Sequence, residues 1–266
     1  MIQVAVFGYG TVGSGVVEVI DRNNAYVSDN SGDKVNVKYI LDLRDFPGDP
    51  NESKLVHDVD VILNDDEVSI ICETMGGVGA AYKFTKAALE KGKSVCSSNK
   101  ELVAKHGAEL IQVAKAHGCA YLFEASVGGG IPVLRTLTTA LTAERITKIA
   151  GILNGTTNFI LTKMEQDGAD FADTLKIAQD LGYAEKDPTA DIEGHDTARK
   201  ISILSDIMSG HFVDSDAVST EGITKITSSD IAIASKAGYS IKLLGLASRY
   251  DDDSVSTMVA PFLVAK

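Results

Sequence analysis

The chain has 266 residues, 44% of them hydrophobic, which allows one large or two ordinary domains with a sizeable core and excludes disorder as the default state. Lys and Arg number 25 against 37 Asp and Glu; the formal charge of -12 opposes non-specific binding to nucleic acid or anionic membranes, so any cationic pocket must be local. Cys72, Cys96 and Cys119 form no CxxC pair of the kind that points to zinc or a redox centre, and their odd number in a chain too large to need staples points to a reducing compartment. The N-terminus enters a strand-like run without a basic leader, and no apolar run reaches the ~18 residues needed to span a bilayer. A cytoplasmic protein with neither nucleic acid nor membrane as partner is expected.

The first strand-like run, IQVAVFG (2–8), leads into a Gly-rich turn and the helix-like VVEVI. Apolar runs at 35–42, 59–63, 68–74, 93–98 and 119–126 are predicted strands. Segments 80–92 and 101–118 carry apolar residues at three- and four-residue spacing, end in Gly, and are predicted helices. Strands alternating with helices imply a parallel sheet covered on both faces, a doubly wound α/β architecture. After residue 126 the texture changes to VGGGIPVLRTL. There a strand is expected over 146–153, then a helix capped by Thr157 or Asn158, amphipathic helices over 171–182 and 196–210, and a helix followed by a strand over 230–252. The Gly-rich stretch is the expected boundary between domains 1–127 and 128–266.

Gly8, Gly10 and Gly13 form a GxGxxG directly after the first strand and before a helix. In that place the first Gly allows a tight turn, the second lets a pyrophosphate approach the backbone and the third permits close helix–sheet packing, with the phosphates at a helix N-terminus. A Rossmann-type dinucleotide site is therefore expected. An acidic residue after the second strand would hold the ribose of NAD, and an Arg the 2′-phosphate of NADP; LDLRD offers Asp42, Arg44 and Asp45 together, which leaves the choice open. ICETMGG (71–77) and CSSNKELVA (96–104) follow predicted strands and fall at the carboxyl edge of the sheet, where ligands of open α/β folds bind. Lys100 lies at that edge: it is either a solvated charge or a group that steadies a carbonyl oxygen near a nicotinamide. EASVGGGIPV (124–133) is a second Gly-rich loop, which by spacing alone reads as a hinge or tight turn, or as a set of inward carbonyls for a hard cation.

GYAEKDPTADIEGHDTARK (182–200) holds Glu185, Asp187, Asp191, Glu193 and Asp196 ahead of Lys200. Asp196 and Lys200 are one helical turn apart, ~6 Å along the axis, and share a face. As an exposed ion pair they would be worth only ~0.3–0.5 kcal/mol. As a site, a Lys beside a carboxylate can exchange the hydroxyl proton that oxidation of an alcohol by NAD(P)⁺ releases, and several carboxylates can converge on a substrate ammonium.

FGYGTVGSGV, SSNKELVA, EASVGGGIPV, GILNGTTNFIL and GYAEKDPTADIEGHDTARK, in this order and spacing, closely resemble homoserine dehydrogenase, over residues 2–266. The resemblance implies a reversible NAD(P)-dependent interconversion of L-homoserine and L-aspartate 4-semialdehyde on the way to threonine and methionine. It implies that Lys200 is the catalytic lysine, a proton donor to the carbonyl oxygen in the reducing direction, Asp196 its supporting carboxylate, and Lys100 a lysine between nicotinamide and substrate. Glu185 and Asp191 match carboxylates of the amino-acid pocket. Gly8, Gly10, Thr11, Val12, Gly13 and Thr74 match the cofactor site, and Glu124, Val127, Gly129 and Ile131 match backbone ligands of a monovalent cation, sodium in the family. A homodimer through the sheet of the second, catalytic domain is implied as well, while Glu193 and His195 receive no role. Family members continue for several dozen residues past the position of Lys266, so the alternative expectation is a shortened, catalytically impaired homologue that still dimerises or binds ligand.

Overall fold

Val4, Ala5, Val6 and Phe7 are all buried, because β1 (Ile2–Phe7) is the central strand of a parallel sheet and is covered on both faces. The computed structural model describes all residues, 1–266, and its first unit, Met1–Val133, is built around this sheet. After β1 come α1 (Thr11–Arg22), α2 (Asn24–Ser31), β2 (Val35–Leu41), β3 (Leu55–Val56) and α3 (Val59–Leu63). They are followed by β4 (Val68–Glu73), α4 (Gly79–Glu90), β5 (Ser94–Ser97), α5 (Lys100–Ala116) and β6 (Tyr121–Leu122). The strand order is β3-β2-β1-β4-β5-β6, every pair parallel, which is the doubly wound Rossmann arrangement. The register pairs Leu41 with Phe7, Phe7 with Glu73 and Glu73 with Ser97. Four strands thus end in one row, and the residues after them meet at one sheet edge.

The periodicity of α4 and α5 is explained by what they bury: Ala81, Thr85, Ala88 and Leu89 on α4, and Leu102, Val103, Leu110 and Ala114 on α5. The run at 59–63 is a helix and not the expected strand. Asp58 accepts a hydrogen bond from the Asp60 amide, closing a helical turn that buries Ile62 and Leu63, and the strand position beside β2 is taken by Leu55–Val56. The strand expected over 119–126 is cut to Tyr121–Leu122, because a 3-10 turn, Glu124–Ser126, follows and packs on β5. The chain forms two compact units, which meet after Val133.

The second unit, Leu134–Lys266, opens within a short helix, α6 (Val133–Arg135), which runs into a π-helical turn, Thr136–Ala140. It contains β7 (Lys148–Gly151), α7 (Gly155–Asp167), α8 (Phe171–Asp180), α9 (Thr189–Ile192) and α10 (His195–Ser209), and then β8 (Ser219–Thr220), α11 (Ser228–Lys236), β9 (Tyr239–Arg249) and β10 (Val255–Ala265). The mixed sheet runs β7-β9-β10-β8. Ile241, Leu243, Gly245 and Ala247 alternate along β9 on its buried face. A Cβ at Gly245 would sit 2.9–3.2 Å from Leu153, Ile201 and Thr197, so only Gly lets α10 lie this close to the sheet. Asn154, and neither Thr157 nor Asn158, caps α7, by accepting from the Thr157 amide at 2.8 Å.

Candidate active site

In the first unit the GxGxxG turn is shaped by sterics. Gly8 has φ +91°, and a Cβ at Gly13 would collide with the Gly8 carbonyl and with the Thr74 hydroxyl 2.8 Å away. Gly10 precedes α1 with extended backbone and no side-chain cap, so the amides of the first turn, at Thr11 and Val12, are presented to an anion. Thr74 donates its hydroxyl to the carbonyls of Phe7 and Gly8 at 2.9 and 3.0 Å, which makes it a brace of the turn as well as a lining residue. A cavity of about 500 Å³ opens here, lined among others by Gly8, Gly10, Asp42, Arg44, His57 and Thr74.

Asp42 directly follows the second strand, as the dinucleotide pattern requires. Its carboxylate accepts the Tyr9 amide at 2.8 Å and a two-pronged contact from Arg44, 2.9 Å on each oxygen, and the Arg44 guanidinium holds its carboxyl well below the usual carboxylate range. His57, which the sequence did not single out, donates Nδ1–H to the Asp42 carbonyl at 2.7 Å and faces Asp45 at 3.1 Å; both raise its pKa.

At the ends of β4 and β5, Glu73 is fully buried, accepts from the Ser97 hydroxyl and the Met75 amide, and is raised by burial. Ser97 in turn accepts from the Asn99 amide at 3.0 Å, and Asn99 caps α5 at Leu102 while donating to the Gly77 carbonyl at 2.7 Å. Lys100 is the first residue of α5, so this buried chain of bonds sets where it starts.

In the loop at 124–133 the Val127 amide donates to the Glu124 carbonyl at 3.5 Å, and the Val133 amide to the Ile131 carbonyl at 2.9 Å. The Ile131 carbonyl folds back over Gly128, where a Cβ would be only 2.7 Å from it, and Gly129 turns the chain with φ +58°. Main-chain oxygens of this kind suit a hard monovalent cation.

The second unit holds the other cluster. Asp196, 2% exposed, accepts the Lys200 ammonium at 2.8 Å, and Lys200 also donates to the Leu153 carbonyl at 2.9 Å. Asn154 donates to Asp196 at 2.9 Å and to Asp191 at 2.7 Å. One amide thus ties the cap of α7 to carboxylates on α9 and α10. Glu185 is exposed, on a loop fixed from behind: Thr156 donates to the Tyr183 carbonyl at 2.7 Å, Phe159 stacks on the Tyr183 ring, and Gln179 donates to the Glu185 carbonyl at 3.1 Å. His195 is exposed and Glu193 half-buried; neither joins the cluster.

Residues 8–124 match the sequence model of the homoserine dehydrogenase NAD binding domain, and residues 132–266 that of homoserine dehydrogenase. The chain belongs to the homoserine dehydrogenase family. Homoserine dehydrogenase of Bacillus subtilis (strain 168) is 42% identical over 267 residues, covering 99% of this chain and 61% of that protein. The crystal structure of a homoserine dehydrogenase from Thiobacillus denitrificans matches with a TM-score of 0.92 at 41% identity, over 99% of this chain and 62% of that one. A hyperthermophilic archaeal homoserine dehydrogenase in complex with NADPH matches at 0.82 and 26% identity, over 100% and 82%. This chain spans about three fifths of the length of the curated relatives it matches. No helix is long and apolar enough to cross a membrane.

For this member of the homoserine dehydrogenase family, the residue most clearly missed at the level of spacing is Asn154. It lies 37 positions before Asp191 and 42 before Asp196. Its only local signal is an Asn before a helix, which reads as a cap. Glu73 gave no signal beyond a charge at a strand end, since its full burial is a property of the assembled sheet.

Proposed function

We propose that this chain catalyses the homoserine dehydrogenase reaction, interconverting L-homoserine and L-aspartate 4-semialdehyde with NAD(P) in the formation of threonine and methionine. The observation that carries the reading is the Asp196–Lys200 pair: a buried carboxylate holds an ammonium that the Leu153 carbonyl also fixes. Lys200 is thereby aimed as a proton donor to a carbonyl oxygen in reduction and, deprotonated, as an acceptor from the hydroxyl in oxidation. Asp196 holds the ammonium in place, and Asn154 keeps Asp196 from turning away. Asp191 has one oxygen engaged by Asn154 and retains acceptor capacity for the substrate ammonium, with Glu185 as its partner.

The nicotinamide cofactor supplies or accepts the hydride when bound. The turn of Gly8, Gly10 and Gly13 with the Thr11 and Val12 amides would take its pyrophosphate, Thr74 braces that turn, and the exposed Arg44 suits the extra phosphate of NADP. Lys100 is assigned to steadying the reacting oxygen. The carbonyls of Glu124, Val127, Gly129 and Ile131 would hold a sodium ion. A homodimer forms through the second sheet, where Leu244, Leu246 and Met258 share the face turned away from α10, and the enzyme works in the cytoplasm.

The test mixes the purified chain with homoserine and NAD⁺ or NADP⁺ and follows absorbance of the reduced cofactor. Cofactor reduction that disappears in Lys200→Ala is expected. No reduction with either nucleotide, from protein shown to be folded, would overturn the reading.

A further inference from the structure

Cys72 and Cys96 stand opposite each other on the parallel pair β4–β5, and their sulfurs are 3.4 Å apart. Neighbouring strands bring paired residues to about 4.8 Å, inside the roughly 4.4–6.8 Å that a disulfide spans between Cα atoms, so the bond needs side-chain rotation and no movement of the chain. The two thiols differ in access. Cys72 is packed against Val6, Tyr9, Val17, Val37 and Ile40 under α1, whereas Cys96, one strand further out, is exposed. Cys119 is separate: its thiol points to the carbonyls of Leu89 and Ala114.

We propose that Cys96 and Cys72 are a site of oxidative modification, a dithiol that hydrogen peroxide converts into a disulfide stapling β4 to β5. Cys96 is the attacking group and Cys72 the resolving one. The Cys96 thiolate attacks one peroxide oxygen, the O–O bond breaks, and hydroxide leaves to become water on taking the proton Cys96 released. The sulfur of Cys72 then attacks the sulfenic sulfur of Cys96, the S–O bond breaks, and the departing hydroxide takes the Cys72 proton as a second water. Two thiols lose two electrons in all, and one peroxide gains them. The asymmetry of the pair supports these roles: the contact between the two sulfurs lowers the Cys96 thiol and raises that of Cys72, which burial raises further. The bond would form two residues before Thr74, the brace of the nucleotide turn.

The experiment treats the native chain with hydrogen peroxide, alkylates, digests without reductant and reads the peptides by mass spectrometry, alongside thiol titration. The expected result is a peptide pair joined through Cys72 and Cys96, loss of two of the three titratable thiols while Cys119 is retained, and full recovery with dithiothreitol. Cys96 should react at least about tenfold faster than Cys119. In Cys72→Ser the expected product is a sulfenic acid on Cys96 that dimedone traps; in Cys119→Ser the cross-link still forms. Oxidation of wild-type Cys96 to sulfinic or sulfonic acid while Cys72 stays free, or a cross-link through Cys119 instead, overturns the proposal. The wild-type digest decides even where Cys72→Ser fails to fold.

Discussion

Two carboxylate–cation pairs, one in each unit, have almost the same nitrogen–oxygen distance, 2.9 Å for Arg44–Asp42 and 2.8 Å for Lys200–Asp196. Their surroundings differ. The Arg44 side chain is 62% exposed, next to an open cavity, whereas that of Lys200 is 16% exposed and has a second, main-chain partner. The exposed guanidinium can swing toward a ligand phosphate, while Asp42, only 9% exposed itself, still accepts the Tyr9 amide. A buried pair is costly to separate, about 3–5 kcal/mol when one partner is removed, so it holds a proton-exchanging group in one place. In the proposed reaction the same interaction would serve binding in one unit and acid–base chemistry in the other, according to how buried the cation is.

The largest effect is expected where the buried pair is broken. Lys200→Ala should lower kcat by about 10²–10⁴ while nucleotide affinity, read by fluorescence of the reduced cofactor, stays near the wild-type value. A drop in affinity of similar size would mean that Lys200 binds and does not exchange protons. Asn154→Ala should come next: it removes the α7 cap and leaves Asp191 and Asp196 each one donor short, so urea denaturation should show a loss of about 2–4 kcal/mol, with kcat falling about tenfold. Full stability in that variant would show that water replaces the amide without cost.

The exposed pair should respond more gently. Arg44→Ala is expected to weaken NADPH about tenfold and NADH less than twofold, measured by titration; equal weakening of both would remove the phosphate role assigned to Arg44.

The smallest effect concerns a carboxylate on α10 that has no cation. Asp206 accepts only the Val213 amide at 2.7 Å, and burial raises its pKa from 3.8 to about 7. Between those values the folded state keeps a proton that the unfolded state has lost, so stability from this group is complete below about pH 4 and declines as pH rises to 7. Partial exposure screens the penalty to about 1–2 kcal/mol. Asp206→Asn should flatten the decline in thermal melts across that range, and an unchanged slope would count against the assignment.

Much of this was legible from local pattern. The GxGxxG after an apolar strand marked the nucleotide turn, since the steric demand on Gly8 and Gly13 lies within a few residues. The Asp196–Lys200 spacing placed both side chains on one helical face before any fold was known. The run at 59–63 misled because five apolar-rich residues carry no period; the Asp58 cap and the burial of Ile62 and Leu63 decided for helix. β10 was not anticipated, because Val255–Ala265 alternates weakly and takes its identity from pairing with β9 along its whole length.

By itself, then, the sequence determined what depends on neighbours in the chain: the turn, the helical faces, the spacing of Asp196 and Lys200 and the family motifs. Tertiary structure alone decided what depends on residues far apart in the chain: that Asn154 bridges Asp191 and Asp196, that Glu73 is sealed between strands, and that Cys72 and Cys96, 24 positions apart, face one another. The reason is physical. Backbone sterics and helical period act over a few residues, whereas burial and side-chain pairing exist only once strands and helices from distant segments have packed.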